Sequence, residues 1–154
     1  MRRMKLAEAL QERSDLNRRI EQLKSRLMNN ALMQEGEAPA EDPAALREEL
    51  DSALSRLTCL MARINLTNAC TQVNGKTLTQ LIAEKDTLTL SLSIYRDVVY
   101  TASQNTHRAR NTEIRILPAV PVKQWQQEID DMAKRLRQLD NLLQENNWKT
   151  ELLP

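Results

Sequence analysis

The chain has 154 residues, of which 41% are hydrophobic, 28% charged and only 3% aromatic, with no Phe and two Gly. This is the size of one ordinary domain, able to bury a core without disulfides or a structural metal, and its aromatic-poor, Leu-rich composition suits helix packing better than a sheet. Twenty-two basic and twenty-one acidic side chains leave a net charge of +1, which excludes a global field of the kind that draws proteins to nucleic acid or anionic membranes.

The first apolar pattern predicts a helix over 4–32. Leu6, Ile20 and Leu27 form one row of a seven-residue grid, and Ala9, Leu16 and Leu23 form the other. Arg13 stands on the first row where an aliphatic residue is expected. The segment 34–43, QEGEAPAEDP, breaks the pattern and reads as a solvated turn, because it lacks the alternating ligands and sharp Gly turn of a calcium loop. Asp42 and Pro43 then supply an N-cap and a first-turn proline.

A second helix is predicted over 44–73. Its rows are Leu50, Leu57 and Ile64, and Leu46, Ala53 and Leu60, with Leu54 and Met61 beside them. The rows continue into Thr67 and Thr71, flanked by Asn65 and Asn68, so this end of the core is polar. Cys59 and Cys70 lie roughly 16 Å apart along one helix at about 1.5 Å per residue. They cannot bridge each other and read as two half-buried thiols in a reducing compartment. Asn74-Gly75 supplies a turn, since both residues tolerate positive φ.

Thr77 and Gln80 form a capping box that opens a third helix over 77–103. One seam runs through Leu78, Leu81, Ile82, Leu88, Leu92, Tyr95, Val99 and Ala102, interrupted by Lys85. A second stripe, Leu90, Ile94 and Val98, lies on the other side and requires a partner of its own. LTLSLSIY at 88–95 also alternates with strand period. The upstream cap and the absence of a breaker between Thr77 and Ser103 favour helix.

The longest connection, 104–122, ends in two prolines and holds the only His. His107, Arg108, Arg110 and Arg115 make a small basic cluster suited to a phosphate or carboxylate, beside the reading of a solvated loop with Ile114, Ile116 and Val120 pinned on the bundle. The fourth helix is predicted over 123–146, with Trp125, Ile129, Met132, Leu136, Leu139 and Leu143 in its seam. The tail NWKTELLP is too apolar for a free end, and its Trp148 joins Leu90, Ile94 and Val98 as a candidate oligomer contact.

Together these elements predict an all-α fold in a single domain, 1–154. It is an antiparallel four-helix bundle of long helices, with an irregular, partly extended loop between the third and the fourth. With flush helix ends, Arg13 falls opposite Ile64, Ile64 opposite Lys85, and Lys85 opposite Asp140. Arg13, Asn65, Asn68, Lys85, Asp86 and Asp140 would then share a polar layer, either a register-setting network or a ligand site between helices.

The stretch KLAEALQERSDLNRRIEQLKSRLMNNALMQEGEAPAEDP, the later RINLTN and the closing RLRQLDNLLQENNWKTELL resemble a small bacterial family of uncharacterised proteins, some of them labelled septicolysin. The resemblance implies a helical fold and no established activity.

No nucleophile motif, Gly-rich phosphate loop or Cys/His metal spacing is present, so no catalytic residue, metal or cofactor is expected. With neither a signal-peptide pattern nor a spanning apolar run, the expected location is cytoplasmic and no membrane contact is anticipated. Acidic residues interleave with the basic ones of the first helix, which counts against nucleic acid. The expectation is a non-enzymatic structural or interaction protein that forms a homo-oligomer. The alternative is a small-molecule binding protein or enzyme with its site in the polar layer or the basic loop.

Overall fold

The structure is a computed structural model and describes residues 2–104 and 114–154. It is mostly helical, with α1 (Leu6–Asn29), α2 (Pro43–Cys70), α3 (Leu78–Ala102) and α4 (Val122–Lys149), and a two-stranded hairpin, β1 (Gln72–Val73) with β2 (Lys76–Thr77). The chain divides into two compact units, Met1–Val73 with Asn146–Pro154 and Asn74–Glu145.

In the first unit α1 and α2 pack antiparallel over Leu6, Ala9 and Leu23 from one helix and Leu46, Ala53, Leu60 and Ile64 from the other, all buried. Ion pairs beside this seam mark the register that the buried rows set. Arg56 makes a two-pronged contact with Glu12, at 2.6 and 2.9 Å. Seven residues further along α1, and seven back along α2, Arg19 meets Glu49 at 3.7 Å. Arg26 meets Glu41 beyond the start of α2.

This register corrects the flush-end expectation. It sets Arg13 level with Ser55 and Ile64 level with Met4, because the connection is not a symmetric turn. It folds back beside the last turn of α1, held by the buried Asn30. The Nδ2 of Asn30 donates to the Arg26 carbonyl at 2.8 Å, and its Oδ1 accepts from the Glu41 N–H at 2.9 Å. The same residue ends α1 at Asn29, three residues before the expected boundary.

Asp42 caps α2 as expected, accepting from the Ala44 N–H at 3.1 Å with Pro43 next to it. The helix ends at Cys70 rather than 73, because Asn74 and Gly75 both adopt positive φ, 53° and 82°, and turn Gln72–Val73 back against Lys76–Thr77. Two successive left-handed residues are what a two-residue hairpin requires, and Gly adopts this conformation without steric cost. Cys59 and Cys70 are free and exposed, more open than the half-buried thiols expected from the sequence.

The capping box of α3 forms in full. The Thr77 hydroxyl accepts from the Gln80 N–H at 3.1 Å, and the Gln80 side chain accepts from the Thr77 N–H at 2.8 Å. Residues 88–95 are helical. In a helix, positions two apart point about 200° from each other, so an i, i+2 alternation fills two opposing faces rather than one strand face.

In this second unit Leu92 and Val99 form a buried cluster with Ile129 of α4, flanked by Trp125, Met132 and Leu136. Tyr95 meets Trp125 edge-on with ring centroids 5.9 Å apart. Lys85 reaches Asp140 ten residues before Tyr95 on α3 and fifteen after Trp125 on α4, so the two helices run antiparallel. No breaker stands at Asn146, and α4 continues to Lys149, three residues beyond the expected end.

Candidate interaction surface

The side of α3 turned from the α4 cluster carries the stripe predicted from the sequence. Leu90, Ile94 and Val98 stand 60%, 50% and 38% exposed, whereas Leu92 and Val99 on the other face are buried. At about 100° per residue, Ala83, Thr87, Leu90, Ile94, Val98 and Thr101 form a second seam with spacings of three and four, as on a helix with neighbours on two sides. Between Asp86 and Arg96 no residue is charged, so this part of α3 is uncharged all round.

The stripe runs into an open groove of about 410 Å³, where the end of α3 meets the segment after it. Val98, Thr101 and Ala102 line the groove with Ile116, Leu117 and Val120, and Asp97 lies at the same place. Ile114 and Ile116 are exposed rather than pinned down, and Val120 alone of the three is half-buried. Trp148, near the end of α4 and counted with the first unit, is also exposed.

Of the residues expected in a polar layer, Lys85 and Asp140 come together, with Nζ 2.7 Å from Oδ1. Their side chains are 37% and 40% exposed, so this is a surface-type ion pair and not a desolvated one. Asp86, one position along, is exposed. Arg13, Asn65 and Asn68 belong to the first unit, where Arg13 and Asn68 are half-buried and Asn65 is exposed. Of the basic loop, Arg115 is described and exposed, while His107, Arg108 and Arg110 lie outside the described residues. Among the described residues no group of three His, Cys, Asp or Glu side chains could hold a metal ion. Nor is any helix among them long and apolar enough to cross a membrane.

Among the described residues the shifted titrating groups all lie along the α1/α2 seam. The guanidinium of Arg56, by its hydrogen bond, holds the Glu12 carboxyl below its ordinary range, and Arg26 does the same to Glu41. Both arginines are raised in return. Each carboxylate is paired with a guanidinium, so these pairs offer no poised acid or base.

One arrangement was only half legible in the sequence. The seam residue Thr67 is 0% exposed, with its hydroxyl donating to the Arg63 carbonyl at 2.7 Å and accepting from the Leu153 N–H at 2.9 Å. Its polarity on an apolar row was visible. Its partner, 86 residues away, was not.

Comparison with known proteins adds kinship and fold. A functionally unknown conserved protein from Corynebacterium diphtheriae, with a crystal structure, is 34% identical and aligns over 99% of this chain and 100% of its own with a TM-score of 0.91. No curated protein matches the chain. The family of unknown function DUF6847 matches residues 13–152, and the chain belongs to that family.

Proposed function

We propose that the protein is a non-enzymatic structural and interaction protein that self-associates through exposed helix faces, foremost the Leu90, Ile94 and Val98 stripe of α3. The observation that carries this reading is the stripe itself: three aliphatic side chains at helical spacing, open to solvent, on a helix whose other face already has a partner. Burying such a side chain is worth about 1.5 to 3 kcal/mol relative to leaving it in water. Contiguous apolar surface of this kind marks interaction sites.

A second copy fits the pattern. Two α3 helices crossing antiparallel about residue 92 set Leu90 of each against Ile94 of the other and Ala83 against Thr101, with the uncharged stretch at the centre. A reducing cytoplasm accords with Cys59 and Cys70 standing exposed as thiols.

Light scattering at micromolar concentration tests the reading. The wild type has a mass above that of one chain, and Leu90→Glu reduces it to one chain while circular dichroism stays unchanged. Asp97→Asn tightens association a few-fold, because Asp86 and Asp97 of opposite copies come level at the ends of such a pair. A monomeric wild type, or an unchanged mass for a folded Leu90→Glu, overturns it.

A further inference from the structure

The last residues of the chain are bound in the manner of a recognised peptide. After a bend at Thr150 the chain passes beside the start of α1, where Lys5 and Glu151 form an antiparallel bridge. The Leu6 N–H donates to the Thr150 carbonyl and the Leu152 N–H to the Met4 carbonyl, both at 2.8 Å. On the other side α2 holds Leu153 at both of its backbone groups. The Thr67 hydroxyl accepts its N–H, and Arg63 Nε donates to its carbonyl at 2.9 Å. Between these contacts Leu152 is buried to 3% exposure.

Backbone hydrogen bonds that hold an extended segment, with one side chain sunk between them, are the elements of recognition by strand addition. In that mode main-chain bonds supply affinity and the pocket supplies specificity. The host side is built for it. Lys5 precedes the first helical residue with extended backbone, and the Met4 carbonyl stays free to accept from the segment. Thr67 places a hydroxyl, buried and fully used, where the rest of its row is aliphatic. Arg63 is the only charged residue between Leu57 and Val73, and its side chain is committed to this segment.

We propose that the groove between the start of α1 and the Arg63–Thr67 turn of α2 is a peptide-recognition site, filled in cis by residues 150–153 and able to take the same C-terminal segment from a second copy. The occupant is defined by the chemistry of the groove: an extended backbone with Leu at the buried position, followed by a residue whose N–H and carbonyl meet Thr67 and Arg63. A tail tethered nearby acts at an effective concentration on the order of millimolar, so the cis segment excludes others until it is dislodged. The site lies wholly within the first unit and does not depend on the α3 stripe.

The test uses the full chain and a fluorescein-labelled peptide of residues 147–154, with anisotropy as readout. Leu152→Glu expels the chain's own tail and leaves the groove intact, so this variant binds the peptide at least ten-fold more tightly than the wild type does. Adding Thr67→Val weakens that binding about ten-fold, and a peptide carrying the same Leu→Glu change does not saturate. Should Leu152→Glu fail to fold, Leu152→Ala vacates the groove without introducing a charge and gives the same order of affinities. A folded variant that binds the peptide no more tightly than the wild type overturns the proposal. Leu90→Glu leaves peptide binding unchanged, so failure of this inference is read separately from failure of self-association.

Discussion

Thr67→Val is the substitution whose consequence follows most directly from the contacts. Valine fills nearly the same volume, so packing against the aliphatic row is kept while one hydroxyl is removed. Of its two hydrogen bonds, the one donated to the Arg63 carbonyl matters little, because that carbonyl lies within a continuous helix and keeps its main-chain partner. The other does not have that reserve. The N–H of the half-buried Leu153 loses its acceptor beside a buried Leu152, and a donor left unpaired costs about 1 to 3 kcal/mol, toward the lower end where burial is partial. The gain from burying an extra methyl in place of the hydroxyl offsets part of this, leaving a net loss of about 1 to 2 kcal/mol. For a chain of this length that lowers the melting temperature by roughly 3 to 6 °C. Calorimetry measures the shift, and hydrogen exchange at the Leu153 amide locates it. Thr67→Ser, which keeps the hydroxyl, leaves exchange at that amide slow. A valine variant as stable as the wild type, with Leu153 still protected, refutes the role assigned to the hydroxyl.

Two further outcomes follow from charge pairs. Arg56 depresses the Glu12 carboxyl in the folded state, so the stability it contributes is present above the unfolded value near pH 4.3 and is lost as pH falls through the folded one. Glu12→Gln therefore lowers stability by about 0.5 kcal/mol at pH 7 and by nothing near pH 2, measured by urea unfolding at both. For the Lys85–Asp140 pair, partial exposure sets the scale: Lys85→Met costs about 0.5 kcal/mol in the same assay. A loss above about 3 kcal/mol would instead mark a desolvated pair, as a charged layer inside a helical core requires.

Much of the local structure was legible from residues near one another in the chain. The Thr77–Gln80 capping box and the Asp42–Pro43 helix start depend on contacts within a few residues, and both form as the spacing predicts. The two faces of α3 follow from helical periodicity alone, including the alternation at 88–95 that imitates a strand. The approach of Lys85 to Asp140 was also anticipated, from flush ends of α3 and α4, although the same assumption fails for α1 and α2.

What the tertiary structure decided is the pairing of segments far apart. The α1/α2 register depends on how residues 30–42 fold back, and composition marks that stretch as a turn without giving its path. Thr67 was visible as a polar residue on an apolar row and Asn30 was not singled out, and the partners of both, Leu153 and Glu41, are chosen by geometry that no local pattern encodes. The closing residues TELLP show the division most clearly. Their apolar character by itself favoured burial, because apolar surface is costly in water. Only the folded chain supplied the Met4 carbonyl, the Arg63 guanidinium and the Thr67 hydroxyl at the spacing an extended backbone can meet, since a hydrogen bond needs its two ends within about 3 Å and a helix sets that distance only between its own neighbours.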